Sequence, residues 1–317
     1  MNVRPTILCP IDFSDASAGA LRYAAAVASH FATRLIVLTV VDPLCTEALD
    51  LGTGVMWTAE DCREQMEKFA ERTFGPDSST LTMIEYEVAI GKPAAEILRV
   101  ARERSCELIV MSTHGLTGMR KLFFGSTTER VLRETTKPVL VTPPHDPGIS
   151  RMEDLKGLIR RIVVPVDVTS ASLHQTQIAR GIADALSIPL ILVHVIEPLR
   201  GPLTTRPHVA SIETNRRATA EEGLDELLAT IPRRLHPEAL VVYGDPAEEV
   251  AKVTRDRQAG LVVMGLHGSP LLGPRMGSVT YRLLCMTSAL VLALPPRPGE
   301  QSTDSQARAG ASTRNSA

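Results

Sequence analysis

Short unbroken apolar runs alternate along this chain with longer segments in which apolar residues recur every three or four positions. Thr6 to Ile11, Leu35 to Val41, Met83 to Ala89, Leu108 to Met111 and Val139 to Val141 are runs of the first kind, and they read as strands covered on both faces. Between the first two, Ser14 or Asp15 is placed to cap a helix with Ala20, Ala24, Val27 and Phe31 on one face. Ala59 to Phe74 is a charged helix stopped by Gly75-Pro76, and Asp42 to Trp57 before it is irregular. Gly91-Lys92-Pro93 opens a further helix, since proline has no N–H to lose in a first turn; Ala94, Ile97, Leu98 and Ala101 form its inner face. A last helical pattern starts at Ser126, with Val131 and Leu132 inward.

The pattern then restarts. Strands are expected over 161–166, 189–196, 240–242, 261–264 and 290–294, with helices from Ser170, over 210–230, after Gly244-Asp245-Pro246 and from Ser278. Gly115 to Gly268 is a shift of 153 residues and Gly125 to Gly277 one of 152, so the chain is an internal duplication. Strands alternating with helices imply an α/β fold: two tandem doubly wound domains, each a five-stranded parallel sheet with helices on both faces. The domains are 1–145 and 159–296, joined by a linker over 146–158 within a proline-, glycine- and charge-rich stretch that begins at Pro143. Residues 297–317 are a polar tail expected to be disordered.

Charge narrows the partners. With 34 basic against 36 acidic residues, nothing favours nucleic acid or an anionic membrane, and 3% aromatic residues leave little base-stacking surface. No apolar run approaches the roughly 18 residues that span a bilayer. Five cysteines without CxxC spacing fit a reducing compartment, with Cys9, Cys106 and Cys285 as small buried hydrophobes, so a cytoplasmic location is expected.

The candidate chemistry lies between the fourth strand and fourth helix of each half. In the first, Ser112-Thr113-His114-Gly115 leads through a long loop to Gly125-Ser126; in the second, Gly265-Leu266-His267-Gly268 leads to Gly277-Ser278. Glycine permits close backbone approach, and a helix N-terminus offers unpaired N–H groups with partial positive charge, which together suit phosphate. A dinucleotide fold would carry glycines in the turn after strand one, but that turn is Asp12-Phe13-Ser14-Asp15-Ala16. The Gly91-Lys92 pair is followed by Pro93 and is not a P-loop. Catalysis has no visible constellation: no paired carboxylates, activated nucleophile or metal cluster assembles by spacing.

An aspartate ending strand one, G-x-P opening the third helix, and G-x-x-G, nine residues, then G-[ST] resemble the universal stress protein family in its tandem form, over about 5–143 and 160–296. The resemblance implies strand order 3-2-1-4-5 and a crevice between strands one and four. It also implies ATP as ligand, with or without Mg2+, in a stress-related regulatory protein with at most weak ATPase activity. Asp12 with Val40 and Val41, or Asp167 with Val195 and Ile196, would hold adenine and ribose. Ser112, Gly115, Gly125 and Ser126, or Gly265, Gly268, Gly277 and Ser278, would hold phosphates. Each half departs from the motif: Ser112 replaces the leading glycine in the first, while the second has eight residues instead of nine and carries Pro270 and Pro274. A nucleotide-free interaction module and a slow ATP-hydrolysing or nucleotidyl-transferring enzyme stay open as alternatives.

Structural explanations compete at several positions. Ser126 with Glu129 matches a capping box, and Asp12 and Asp167 can satisfy helix-entry amides. His114 and His267 are turn residues without further metal ligands in reach, and Arg120 and Lys121 fit either phosphate or solvent. The family pairs its domains through their fifth strands, so 139–141 and 290–294 are expected to form an intramolecular pseudo-dimer, with two chains able to associate further. Halves expressed separately should then self-associate, and light scattering that finds them monomeric counts against this pairing.

Overall fold

The computed structural model describes residues 5–42, 59–76, 78–113, 125–167, 170–199, 209–266 and 277–296. Outside them lie, among others, residues 43–58 and 200–208, where irregular chain is expected from sequence, residues 114–124 and 267–276 with Gly115 and Gly268, and the tail from 297. Two compact units result, one of Met1–Ile159 with Thr287–Leu292 and one of Arg160–Met286 with Ala293–Ala317.

In the first unit, β1 (Thr6–Pro10), β2 (Arg34–Val41), β3 (Ile84–Ile90), β4 (Leu108–Ser112) and β5 (Val139–Thr142) alternate with α1 (Asp15–His30), α2 (Ala59–Phe74), α3 (Pro93–Glu103) and α4 (Ser126–Glu134). All strand pairs are parallel and the order is 3-2-1-4-5. β1 is the middle strand, with Ile7 in register with both Leu35 of β2 and Leu108 of β4. Leu8, Cys9, Ile36, Val37, Ile109 and Val110 are completely buried, as strands covered on both faces require. Burial pushes the Cys106 thiol up to about 11 and raises that of Cys9 as well, so both behave as inert apolar groups.

α1 turns Ala20, Leu21, Ala24, Ala25 and Ala28 to the core. Its expected face is displaced at the C-terminal end: Val27 is half-buried, and Phe31, 62% exposed, is the C-cap, its ring edge-on to His30. The helix ends one residue before Phe31, so the periodicity that places Phe31 inward no longer applies.

The second unit repeats the plan with β6 (Ile162–Pro165), α5 (Ser170–Leu186), β7 (Leu190–Ile196), α6 (Val209–Ala229), β8 (Glu238–Tyr243), α7 (Pro246–Asp256), β9 (Leu261–Gly265) and α8 (Ser278–Met286). The last strand, β10 (Leu290–Leu294), has only Ala293 and Leu294 in this unit. β6 lies between β7 and β9, with Ile162 in register with Leu190 and Leu261, and β8 lies beyond β7. At the end of β10 the Leu294 carbonyl accepts from the Leu266 amide.

Composition marks the stretch after β5 as a connector, and in the first unit it is fastened to α1. Tyr23 Oη donates to Asp146 Oδ2 (2.9 Å), the Gly148 amide donates to Asp146 Oδ1 (2.8 Å), and Arg22 reaches the carbonyls of Pro147 (2.6 Å) and Thr73. Burial, and then the Asp146 charge, raise the Tyr23 phenol, so it stays a donor. Gly148 has φ +78, and a Cβ there would sit 2.6 Å from the Gly19 carbonyl; a Cβ on Gly19 would meet the Asp146 carbonyl. Backbone rests on backbone at these two glycines. Gly19→Ala is expected to lower unfolding free energy by about 2 kcal/mol, seen as a fall in the denaturant midpoint at unchanged slope; an unaltered midpoint contradicts this packing.

Candidate functional site

β1 does not stop cleanly at Pro10. The Ile11 amide still donates to the Leu38 carbonyl (2.8 Å), and only at Asp12 does the chain leave the sheet. Asp12 Oδ1 accepts from the Ser14 amide (3.2 Å) and hydroxyl (2.6 Å), and Ser14 caps α1 by accepting from the Ser17 amide (3.2 Å). That helix-entry role for Asp12 is therefore real, and the half-buried carboxylate also lines a cavity. Phe13, between the two, has φ 65, a left-handed conformation costly for a bulky residue. Its ring is held edge-on to Phe69 at 5.7 Å.

On the neighbouring strand the chain leaves the sheet at Thr113 and returns at Gly125, whose amide donates to the Thr113 carbonyl (2.9 Å). Ser112 is buried, and its carbonyl accepts from Thr128 Oγ1 (2.8 Å), which pins the first turn of α4 to the end of β4. The capping box expected at Ser126 does not form. Gly125 is the N-cap and has no side-chain cap bond, Ser126 is the first helical residue, and Glu129 turns to Arg133 (2.5 Å). The first-turn amides of α4 thus have no side-chain cap, and the Ser126 hydroxyl has no hydrogen-bond partner among the described residues. Gly125 has φ −61 and ψ 129, angles any residue adopts, so backbone conformation does not require glycine there.

These ends enclose a cavity of about 350 Å3, within the range of small-ligand sites. Asp12 and Val40 line it together with Ser112, Gly125 and Ser126, across the gap between β1 and β4. Val41 is not among its walls. The Val41 carbonyl is taken by the Gly91 amide (2.9 Å), and the same clasp joins Ile196 to Gly244 (3.2 Å). Both glycines have φ +149 with a glutamate side chain packed where a Cβ would lie, which accounts for the G-x-P turn in each half.

The corresponding strand ends of the second unit have different wiring. Asp167 is exposed, and its Oδ1 accepts from Ser172 Oγ (2.7 Å) while its amide donates to the same oxygen (3.2 Å). Val195 is half-buried, Ile196 buried and Gly265 half-buried at the end of β9. Gly277 precedes Ser278, the first residue of α8; a Cβ on Gly277 would meet no described atom within 4 Å. Among the described residues no cluster of three or more metal-ligating side chains occurs.

Sequence reasoning missed several wall residues. Ser17 and Thr128 recur as Ser172 and Thr280, each at the same distance from its aspartate or glycine, a signal visible in the repeat. His194 stands where the first half has Thr39. Its Nδ1 lies 2.8 Å from the Val166 carbonyl, which can only accept, so Nδ1 carries a proton; Thr39 Oγ1 donates to Ile11 in the same way (3.4 Å).

A doubly wound α/β unit of parallel strands, present twice, defines a tandem protein of the open parallel-sheet class. The sequence profile of the universal stress protein family matches residues 4–143 and again 158–294, and the chain belongs to that family. A universal stress protein of Mycolicibacterium smegmatis is 25% identical over 305 residues, 92% of this chain and 97% of its own. One from Thermus aquaticus is 32% identical over 139 residues, 43% of this chain and 96% of its own. The crystal structure of a universal stress protein from Archaeoglobus fulgidus shares the fold, with TM-score 0.60 at 20% identity, covering 93% of this chain and 97% of its own.

The second unit clamps the helix after its third strand more firmly than the first. Asp245 Oδ1 caps α7 through the Ala247 and Glu248 amides, and Arg282 of α8 donates to Asp245 Oδ2 (2.5 Å) and to Glu248 (2.8 Å). In the first unit Lys92 stands at the N-cap and caps nothing. Arg282 first, and then the Glu248 and Ala247 amides, hold the Asp245 carboxyl below its ordinary value. Its stabilising effect is therefore complete above the unfolded-state carboxylate range and disappears as pH falls through the depressed folded value. Asp245→Ala should cost about 1 kcal/mol at neutral pH and little in strong acid; equal losses at both pH values, in chemical denaturation, contradict this account.

Proposed function

We infer that this chain is a stress-related regulatory protein that binds ATP in the crevice of its first unit and, more weakly, in that of its second. The observation that carries the reading is the uncapped start of α4. The Gly125-Ser126-Thr127 turn opens on a cavity whose other wall holds Asp12 and Val40, and such a turn is suited to a phosphate. In this arrangement Asp12 would accept from ribose hydroxyls through its carboxylate, Val40 would bound the base, and Ser126 with its neighbouring amides would donate to phosphate oxygens. Ser112 lies on the same wall. Gly115 and Gly268 are assigned to phosphate by family resemblance alone.

The role is binding rather than turnover: nucleotide favours the conformation it fits best, and partner choice follows. The bound phosphates, more than protein side chains, would hold any Mg2+. A cytoplasmic location belongs to the same reading, and the buried free thiols of Cys9, Cys62 and Cys106 agree with it. Among the described residues no helix is long and apolar enough to cross a membrane.

Glycine is dispensable for the local backbone at 125 and meets no described neighbour at 277, so valine at either position obstructs ligand approach without straining the chain. In equilibrium dialysis with labelled ATP, Gly125→Val should weaken the tighter binding about tenfold or more, and Gly277→Val should remove only the weaker component. Wild-type binding by both folded variants overturns the reading.

A further inference from the structure

The first unit contains a second cavity, of about 510 Å3, between the first half of α1, the last turn of α2 and the 144–147 strap. Phe13 lines both this cavity and the crevice, so one ring separates them. Phe69 meets Phe13 edge-on and forms an aromatic wall, and the Arg72 guanidinium lies 5.7 Å from the Phe69 ring centre.

The charges on these walls are unevenly matched. Arg34, Arg63, Arg99, Arg104, Arg130 and Arg133 of the same unit each hold a glutamate. Arg72 has no ion pair among the described residues, and Arg22 spends its donors on the Thr73 and Pro147 carbonyls. The one carboxylate built into the strap, Asp146, is occupied by the Tyr23 hydroxyl and the Gly148 amide. Asp15 is exposed in the first turn of α1, where the helix N-terminus favours a negative group. The cavity therefore offers two guanidinium charges without a carboxylate partner beside an aromatic wall.

We propose that this cavity is a second ligand site, for a small organic anion with a flat apolar body. The acidic group binds Arg72, whose fork of donors and planar face suit carboxylate, sulfonate or phosphate, and the body lies against Phe13 and Phe69. The guanidinium already over Phe69 is oriented for this by its ring contact. The strap then forms one side of the site as well as fastening to α1.

Anilinonaphthalene sulfonate, an aromatic anion whose fluorescence rises on leaving water, is the probe. Titrated into the full chain it should show a saturable site near one per molecule. Arg72→Gln, at an exposed position where folding is not at stake, should weaken it about tenfold, the loss of one charge-assisted hydrogen bond. Ala18→Trp, which fills the cavity from α1, should remove the site. Undiminished binding by folded Arg72→Gln overturns the proposal, as does an absence of saturable binding by the wild-type chain. No readout involves nucleotide, so this proposal and the ATP reading fail separately.

Discussion

Each half of the chain depends on one strand being hydrogen-bonded on both sides. β1 takes its register from β2 through Ile7 and Leu35 and from β4 through Ile7 and Leu108, and β6 does the same through Ile162 with Leu190 and Leu261. The chain builds outward from this strand first in one direction and then in the other, so the segments leaving β1 and β4 diverge and a gap opens at their carboxyl ends. The apolar strands are buried too completely to take part in chemistry. The polar groups at these strand ends are the few residues at the rim of that gap.

What lines the rim is there partly for structural reasons. Asp12 and Ser14 turn strand into helix, and Thr128 ties α4 to the Ser112 carbonyl. These bonds hold the walls while leaving the first amides of α4 without a side-chain cap. The two halves have diverged inside this shared frame. Thr39 is replaced by His194, and Ala20, completely buried, by Gln175, whose Nε2 reaches the Pro165 carbonyl while its Oε1 is buried without a hydrogen-bond partner among the described residues. An unsatisfied buried acceptor costs about 1–3 kcal/mol, a cost that the alanine at position 20 does not carry.

The strands were legible because parallel strands covered on both faces are short continuous apolar runs, and boundaries moved by only one or two residues. Asp12, Ser112, Gly125 and Ser126 were legible as rim positions because four spaced features occur twice. Local patterns failed where tertiary context set the outcome. Ser126-x-x-Glu129 reads as a capping box, but the helix takes Gly125 as its N-cap and Glu129 pairs with Arg133. The stretch from Pro143 reads as a linker, and nothing local reveals that Gly148 must rest against Gly19, 129 positions earlier. Of Val40 and Val41, named together by family resemblance, Val40 lines the cavity while the Val41 carbonyl accepts from Gly91. Phe13 carries no mark in sequence of its left-handed backbone.

The central claim is that the gap beside the central strand is a nucleotide site. Isothermal titration of the full chain with ATP tests it most directly, with Asp12→Asn alongside. The account predicts a saturable exothermic signal from the wild type, at no less than one nucleotide per chain, that the variant weakens. A well-folded wild-type sample that gives no binding heat at millimolar ATP, and carries no adenine compound from its preparation, would contradict it.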